Sequence, residues 1–240
     1  QAFFARPVVF GHPLHRQSGA TGMGFLHSDC LCWLVLFIAI CIGAHPEGPR
    51  PNPHPWKELY IVQDDLLIRR VGTFVCLVLV LVRWLLTRCC NAPVFPGELC
   101  WTLLFFLVIT GARIGIFLLV KPYNYYFSDH VFLLTAMTAM VAMELKHCEK
   151  VIERRVGCIS TLGAVLTTLV AYALLAVMAV EAWATARYYH TREASFVAFF
   201  TGLLLWGSFC WWWRGKIHDA YDNLTTRDKL LKEGLLKGAP

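Results

Sequence analysis

The sequence predicts an all-α polytopic membrane protein: a six-helix transmembrane bundle with an interfacial helix before the second span. Three observations lead there. Hydrophobic residues fill 57% of the 240 positions and charged residues only 16%, whereas a soluble domain carries about 25% charged residues. The apolar residues come in long unbroken runs and not in amphipathic stripes, giving a mean hydropathy of +0.53, the pattern of bilayer-spanning helices. A closed β-barrel would need roughly ten-residue segments of alternating polarity, and the chain has none.

Residues 1–27 hold no signal-peptide pattern and read as a flexible N-terminal segment. The membrane domain covers 28–213, with spans at 28–44, 71–87, 99–120, 129–146, 156–183 and 195–213. The third and fifth are the clearest, each long enough to cross a hydrocarbon core of about 30 Å. The first and fourth have shorter apolar cores. A proline-rich loop at 45–55 separates the first two spans, and over 56–70 Trp56, Leu59, Tyr60, Val62, Leu66 and Leu67 interleave with charges, which predicts the interfacial helix. Residues 214–240 form a basic cytosolic tail, either laid on the leaflet or solvated.

The ten cysteines do not make a disulfide framework. Most lie inside apolar runs, where Cys behaves as a small hydrophobe, and no pair has zinc-site spacing. No metal or other cofactor is expected, and nucleic acid is not an expected partner.

Basic residues orient the bundle. Six spans place both termini on one side, with the second-to-third and fourth-to-fifth loops. Of the 22 Lys and Arg, fourteen fall on that side and seven opposite, while Arg113 lies within the third run. Cytoplasmic loops carry the excess of Lys and Arg, so both termini are expected in the cytosol.

That orientation gives two histidines a common address. His130 opens the fourth span and His190 follows the fifth, so both fall on the non-cytosolic face at similar depth. Imidazole acts as base and acid near neutral pH, and a pair of imidazoles beside cations at a membrane surface suggests phosphoryl chemistry on a lipid-like substrate. Arg113 needs a partner or a wet cavity inside its span. Phosphate is a natural partner for it and for Lys121 at the same end of that span. Arg187 and Arg192 flank His190 as further candidates for phosphate, or as ordinary interfacial anchors. Asp129 stands next to His130 and is placed to orient an imidazole. Glu144 lies near the cytosolic end of the fourth span, away from the reacting groups. Trp211-Trp212-Trp213 reads as an aromatic belt, and His147 and His218 as solvated loop residues. By default a histidine at a membrane edge is only an interfacial polar residue, so spacing alone leaves the pair suggestive.

Two segments resemble the fat storage-inducing transmembrane (FIT) family. Its Ser-Gly-His-x-Phe-Leu-Leu-Thr segment is similar to Ser128-Asp129-His130-Val131-Phe132-Leu133-Leu134-Thr135, and its Tyr-x-His segment to Tyr188-Tyr189-His190. The run Phe199-Phe200-Thr201-Gly202-Leu203-Leu204-Leu205-Trp206 looks like the family's final span, so the resemblance covers about 125–213. It implies an endoplasmic reticulum protein that supports lipid-droplet formation and is related to lipid phosphate phosphatases. The implied reaction is acyl-CoA diphosphatase activity, splitting fatty acyl-CoA into acyl 4′-phosphopantetheine and adenosine 3′,5′-bisphosphate at the lumenal face. It further implies His190 as nucleophile and His130 as acid, with Ser128 and Asp129 supporting, and membrane lipids, including diacylglycerol and triacylglycerol, as partners. A non-catalytic protein that binds neutral lipid and organises droplet budding is the alternative, and a plain lipid phosphate phosphatase is a third. Asp129 departs from the family's Gly. Its carboxylate either supports His130 as an acid or repels phosphate.

Overall fold

A computed structural model of the chain describes residues 25–44, 60–89, 98–120, 126–154 and 158–213, with the single positions 215, 226 and 230. These residues are helical apart from a short stretch at 126–128 and a corner at 190–191, and no strand occurs among them. The helices are α1 (Phe25–Ala44), α2 (Tyr60–Cys89), α3 (Glu98–Val120), α4 (Asp129–Arg154), α5 (Cys158–Ala184) and α6 (Arg192–Gly202). α5 runs on into a π turn at Thr185–Tyr189. A second π turn, Leu203–Gly207, continues α6 towards Trp213.

Four stretches are long and apolar enough to cross a membrane: Thr102–Leu119, Asp129–Ile152, Thr161–Tyr189 and Arg192–Trp213. The protein is therefore membrane-embedded. The apolar cores of α1 and α2 are shorter, at Cys30–Ala44 and Phe74–Leu86. The fourth run extends six residues past the expected span 129–146 as one unbroken helix, and within it the Thr135 and Thr138 hydroxyls donate to the Phe132 and Leu134 carbonyls. The interfacial helix is not a separate element, since residues 60–70 continue unbroken into the second apolar run as one 30-residue helix. Residues 56–59 lie outside the described residues, as do most of the two terminal segments and His218.

α4 is the axis of the bundle. Its residues Val131–Cys148 are all buried, and it touches each of the other five helices. The outer helices show one buried stripe each at helical spacing. In α1 it is Cys32, Leu36, Ile40 and Ala44; in α2 Ile68, Cys76, Leu79 and Val80; in α5 Ala171, Leu175, Met178 and Ala182. Their opposite faces expose large aliphatic residues, which hydrocarbon accommodates and water would not.

α6 approaches α4 most closely at Gly202, where an added Cβ would collide with the Thr135 side chain. One turn further along α6, Trp206 packs on Phe132 with ring centres 5.4 Å apart. α3 packs through Thr102, Phe105, Phe106 and Ile109 and then, partly buried, through Ala112 and Ile116, while Gly111 and Gly115 lie on its outward face, where added Cβ atoms would meet nothing within 4 Å.

At the end of α4 remote from His130, Arg83 Nε of α2 donates to Glu144 Oε2, and the two side chains are 1% and 2% exposed. Lys146 and His147 are buried beside them. His147 is thus an interior residue and not a solvated loop one, because α4 stays enclosed to its last turns. Arg83, within the second apolar run, is also interior. The aromatic belt divides: Trp211 is exposed, while Trp213 is buried against Phe105 and Phe209.

Candidate active site

Backbone hydrogen bonds explain why two histidines 60 residues apart in sequence meet. Ser128 caps α4: its hydroxyl accepts the Val131 N–H at 3.3 Å, and its carbonyl accepts the Phe132 N–H at 3.0 Å. Asp129 and His130 therefore occupy the first turn, where a carboxylate complements the positive end of the helix dipole. The Ser128 N–H donates to the Ala194 carbonyl at 3.3 Å, tying the start of α4 to the start of α6.

His190 is fixed from both sides. Its N–H donates to the Thr185 carbonyl at 3.2 Å, closing the π turn, and its own backbone is extended with φ −125° and ψ 161°. Thr191 then caps α6, accepting the Ala194 N–H at 3.2 Å, while the Ser195 hydroxyl donates to the Thr191 carbonyl at 3.0 Å. His190 thus occupies a tight corner between two hydrogen-bonded turns, one of them a π turn of the sort frequent at functional sites.

The two imidazole rings lie 5.9 Å apart between centres, with their planes at 41°. They line a cavity of about 440 Å³ with Arg113 and Phe117 of α3, Asp129 and Leu133 of α4, and Tyr189 of the π turn. Arg113 Nη2 donates to Asp129 Oδ2 at 2.8 Å, and its guanidinium stands 5.4 Å from the centre of the Phe117 ring. The two charged side chains are 21% and 19% exposed. The cavity opens between α3, the first turns of α4 and the π turn before His190.

The cations expected on phosphate separate. Among them only Arg113 lines the cavity within the described residues. Arg192 Nε donates to the Ala44 carbonyl at 2.9 Å, fastening α6 to the end of α1, which is a structural task. Arg187 is half-buried in the π turn and is not part of the lining. Lys121 lies outside the described residues. Ser128 acts through its cap and its backbone, not as a lining side chain.

Sequence reasoning missed Glu181. It is buried in α5, and the Thr185 hydroxyl donates to its Oε1 at 3.5 Å. Because the Thr185 carbonyl holds His190, Glu181 helps to fix the corner that positions the imidazole. A carboxylate in so long an apolar run was the available signal. The apolar and aromatic lining of Phe117, Leu133 and Tyr189 had no such signal, since these residues look like any others in their runs.

Chemically, the cavity offers two imidazoles able to give and take a proton, one guanidinium for anionic oxygens, and an apolar wall. No group of three or more His, Cys, Asp or Glu suited to hold a metal ion occurs among the described residues. Comparison with protein-family models, curated proteins and solved structures finds no match to this chain.

Proposed function

We propose that the chain is a FIT-like acyl-CoA diphosphatase of the endoplasmic reticulum, with six spans, both termini in the cytosol and the histidine cavity at the lumenal face. The observation that carries this reading is the pairing of His130 with His190 across one cavity that also contains Arg113. A nucleophile works at about 3–3.5 Å from the atom that it attacks, and a general acid within about 3 Å of the oxygen that it protonates. Ring centres 5.9 Å apart bring both imidazoles within reach of one phosphoryl group seated beside them in the cavity that they line.

In the reaction, an imidazole nitrogen of His190 attacks one phosphorus of the diphosphate, and the bridging P–O bond breaks with its electron pair on oxygen. His130 supplies the proton that this oxygen takes up, so the leaving phosphate departs as a weaker base. Water then attacks the phosphohistidine. His130 accepts the proton of that water, and the N–P bond breaks to restore His190. Arg113 holds non-bridging oxygens as charge accumulates on them. The products are acyl 4′-phosphopantetheine and adenosine 3′,5′-bisphosphate.

Purified protein supplied with oleoyl-CoA tests the reading. Exchanging His190 or His130 for Ala should lower cleavage by about 10²–10⁴-fold, the usual range for a positioned acid–base group. Cleavage unchanged in both variants would rule it out. Phosphatidic acid offered in place of oleoyl-CoA separates this activity from that of a plain lipid phosphate phosphatase.

A second reading, a non-catalytic protein that binds diacylglycerol or triacylglycerol, is favoured by a groove of about 420 Å³ between α1, α4 and the second π turn. Trp33, Met143, Leu203 and Leu204 are among its walls. Unaltered binding of triacylglycerol in the two histidine variants, with no acyl-CoA cleavage in the parent, is the outcome that this alternative requires.

A further inference from the structure

The ion pair inside the cavity has no role in the reaction just described, and it sets a puzzle. Arg113 is the cation that the chemistry needs, yet its Nη2 is engaged by Asp129 Oδ2 at 2.8 Å. At this level α3 packs on the core only through the partly buried Ala112 and Ile116. Asp129 adds a polar tie from α4 to α3 through the side chain that an anionic substrate would use. The pair is neither sealed nor fully solvated, with about a fifth of each side chain exposed (21% and 19%). A ligand entering the cavity can reach both partners. The guanidinium also keeps capacity in reserve, since its Nε is buried with no hydrogen-bond partner among the described residues.

We propose that Asp129 is a specificity-determining residue: it occupies Arg113 as an internal anion and yields it only to a ligand carrying more negative charge than a single phosphodiester. This rests on the reading that the cavity receives a phosphate-bearing substrate. The physical argument is competition at close quarters. Both histidines lie at ends of apolar helices, the depth at which phospholipid headgroups are packed. A bare guanidinium there would be occupied by phosphodiester oxygens, which make the same charge-assisted, two-pronged contact as a substrate phosphate. Asp129 already supplies one negative charge, without the loss of translational freedom that a separate lipid incurs on binding. A headgroup with one negative charge gains nothing by replacing it. A diphosphate or phosphomonoester, with about two charges on neighbouring oxygens, attracts the guanidinium more strongly and displaces the carboxylate. The freed carboxylate stays at the cavity edge, repelling a second anion.

The test uses the purified full chain in neutral detergent, with inorganic pyrophosphate as probe and short-chain dihexanoylphosphatidylglycerol as the monoanionic competitor. Calorimetry on the parent should show pyrophosphate binding whose affinity changes by less than about twofold when excess competitor is added. Asp129→Asn should bind pyrophosphate about fivefold more tightly without the competitor, the size of a strong exposed ion pair. It should lose most of that affinity when the competitor is present. Asp129→Gly, which removes the whole side chain, should repeat this pattern and guards against a fold defect peculiar to one variant. Adding Arg113→Gln to either variant should abolish both changes.

Affinity in Asp129→Asn equal to or below that of the parent would overturn the proposal, as would a parent just as sensitive to the competitor as the variant. These outcomes are separable from the fate of the catalytic reading. Histidine-dependent cleavage of oleoyl-CoA with pyrophosphate affinity unmoved by Asp129→Asn leaves the diphosphatase standing and removes the filter. The predicted affinity changes in a chain that cleaves nothing leave the filter standing and remove the diphosphatase.

Discussion

Two carboxylates of α4, Asp129 in its first turn and Glu144 fifteen residues on, are each paired with an arginine from a neighbouring helix, but the two pairs are built differently. Asp129 and Arg113 meet beside a cavity, each about a fifth exposed. Glu144 and Arg83 meet where α2 and α4 are packed together, at 1% and 2% exposure, with Lys146 and His147 buried alongside. Burial decides what each pair can do. A sealed pair has no competitor for its partner, and separating it leaves an uncompensated charge in a low-dielectric interior. An open pair exchanges with solvent and ligand at little energetic cost. The same two residue types therefore serve as a clamp at one end and as an exchangeable contact at the other.

Variants at the two arginines test this difference most directly. Arg83→Ala strands Glu144 in the interior and should cost about 3–5 kcal/mol of stability, read as a large fall in the thermal midpoint of the detergent-solubilised protein. The double variant Arg83→Met, Glu144→Met should recover most of that loss, because replacing a buried pair by apolar groups of similar volume is often near neutral. A small effect of Arg83→Ala would mean that water reaches this end too, and the contrast would collapse.

Packing between α4 and α6 gives an effect of intermediate size. Gly202→Val drives a branched side chain into Thr135 and should cost about 1–3 kcal/mol, while also displacing the corner that holds His190. Gly115→Val, on the outward face of α3, meets no neighbouring atom and should leave the thermal midpoint unchanged. Equal midpoints for the two valine variants would show that the approach of α6 to α4 is looser than described.

The smallest stability change belongs to the open pair. Arg113→Ala should cost no more than about 1 kcal/mol, yet weaken pyrophosphate binding by about tenfold, the loss of one charge-assisted contact of about 1.4 kcal/mol. A stability loss there as large as that of Arg83→Ala would make Arg113 a clamp as well, and would remove the reason for treating the two ends as different.

Much of this was legible in the residues. That His130 and His190 meet at one end of the bundle was to be expected from where the apolar runs stop. The packing of Thr135 on Gly202 and of Phe132 on Trp206 joins two of the segments that carry the family resemblance. The character of the individual charges was not legible. Arg192, two residues after His190, was a candidate for phosphate as Arg113 was, but it anchors to the Ala44 carbonyl 148 residues away. His147 follows a lysine in what looks like a loop, and only the full length of α4 shows it to be interior. Glu181 was overlooked because its partner, Thr185, lies one turn along in a π turn that hydrophobic periodicity does not reveal.

The sequence by itself determined that the chain is helical and membrane-embedded, because hydropathy is a sum over neighbours along the chain and needs no knowledge of the fold. It also determined which runs end in a histidine. Tertiary structure alone decided that the fourth helix is the buried axis, that Arg113 finds Asp129 while Arg83 finds Glu144, and that the two imidazoles share a cavity. Those are matters of which helices touch and on which face. A charge in an apolar run requires a partner, but only the packing of the helices selects it.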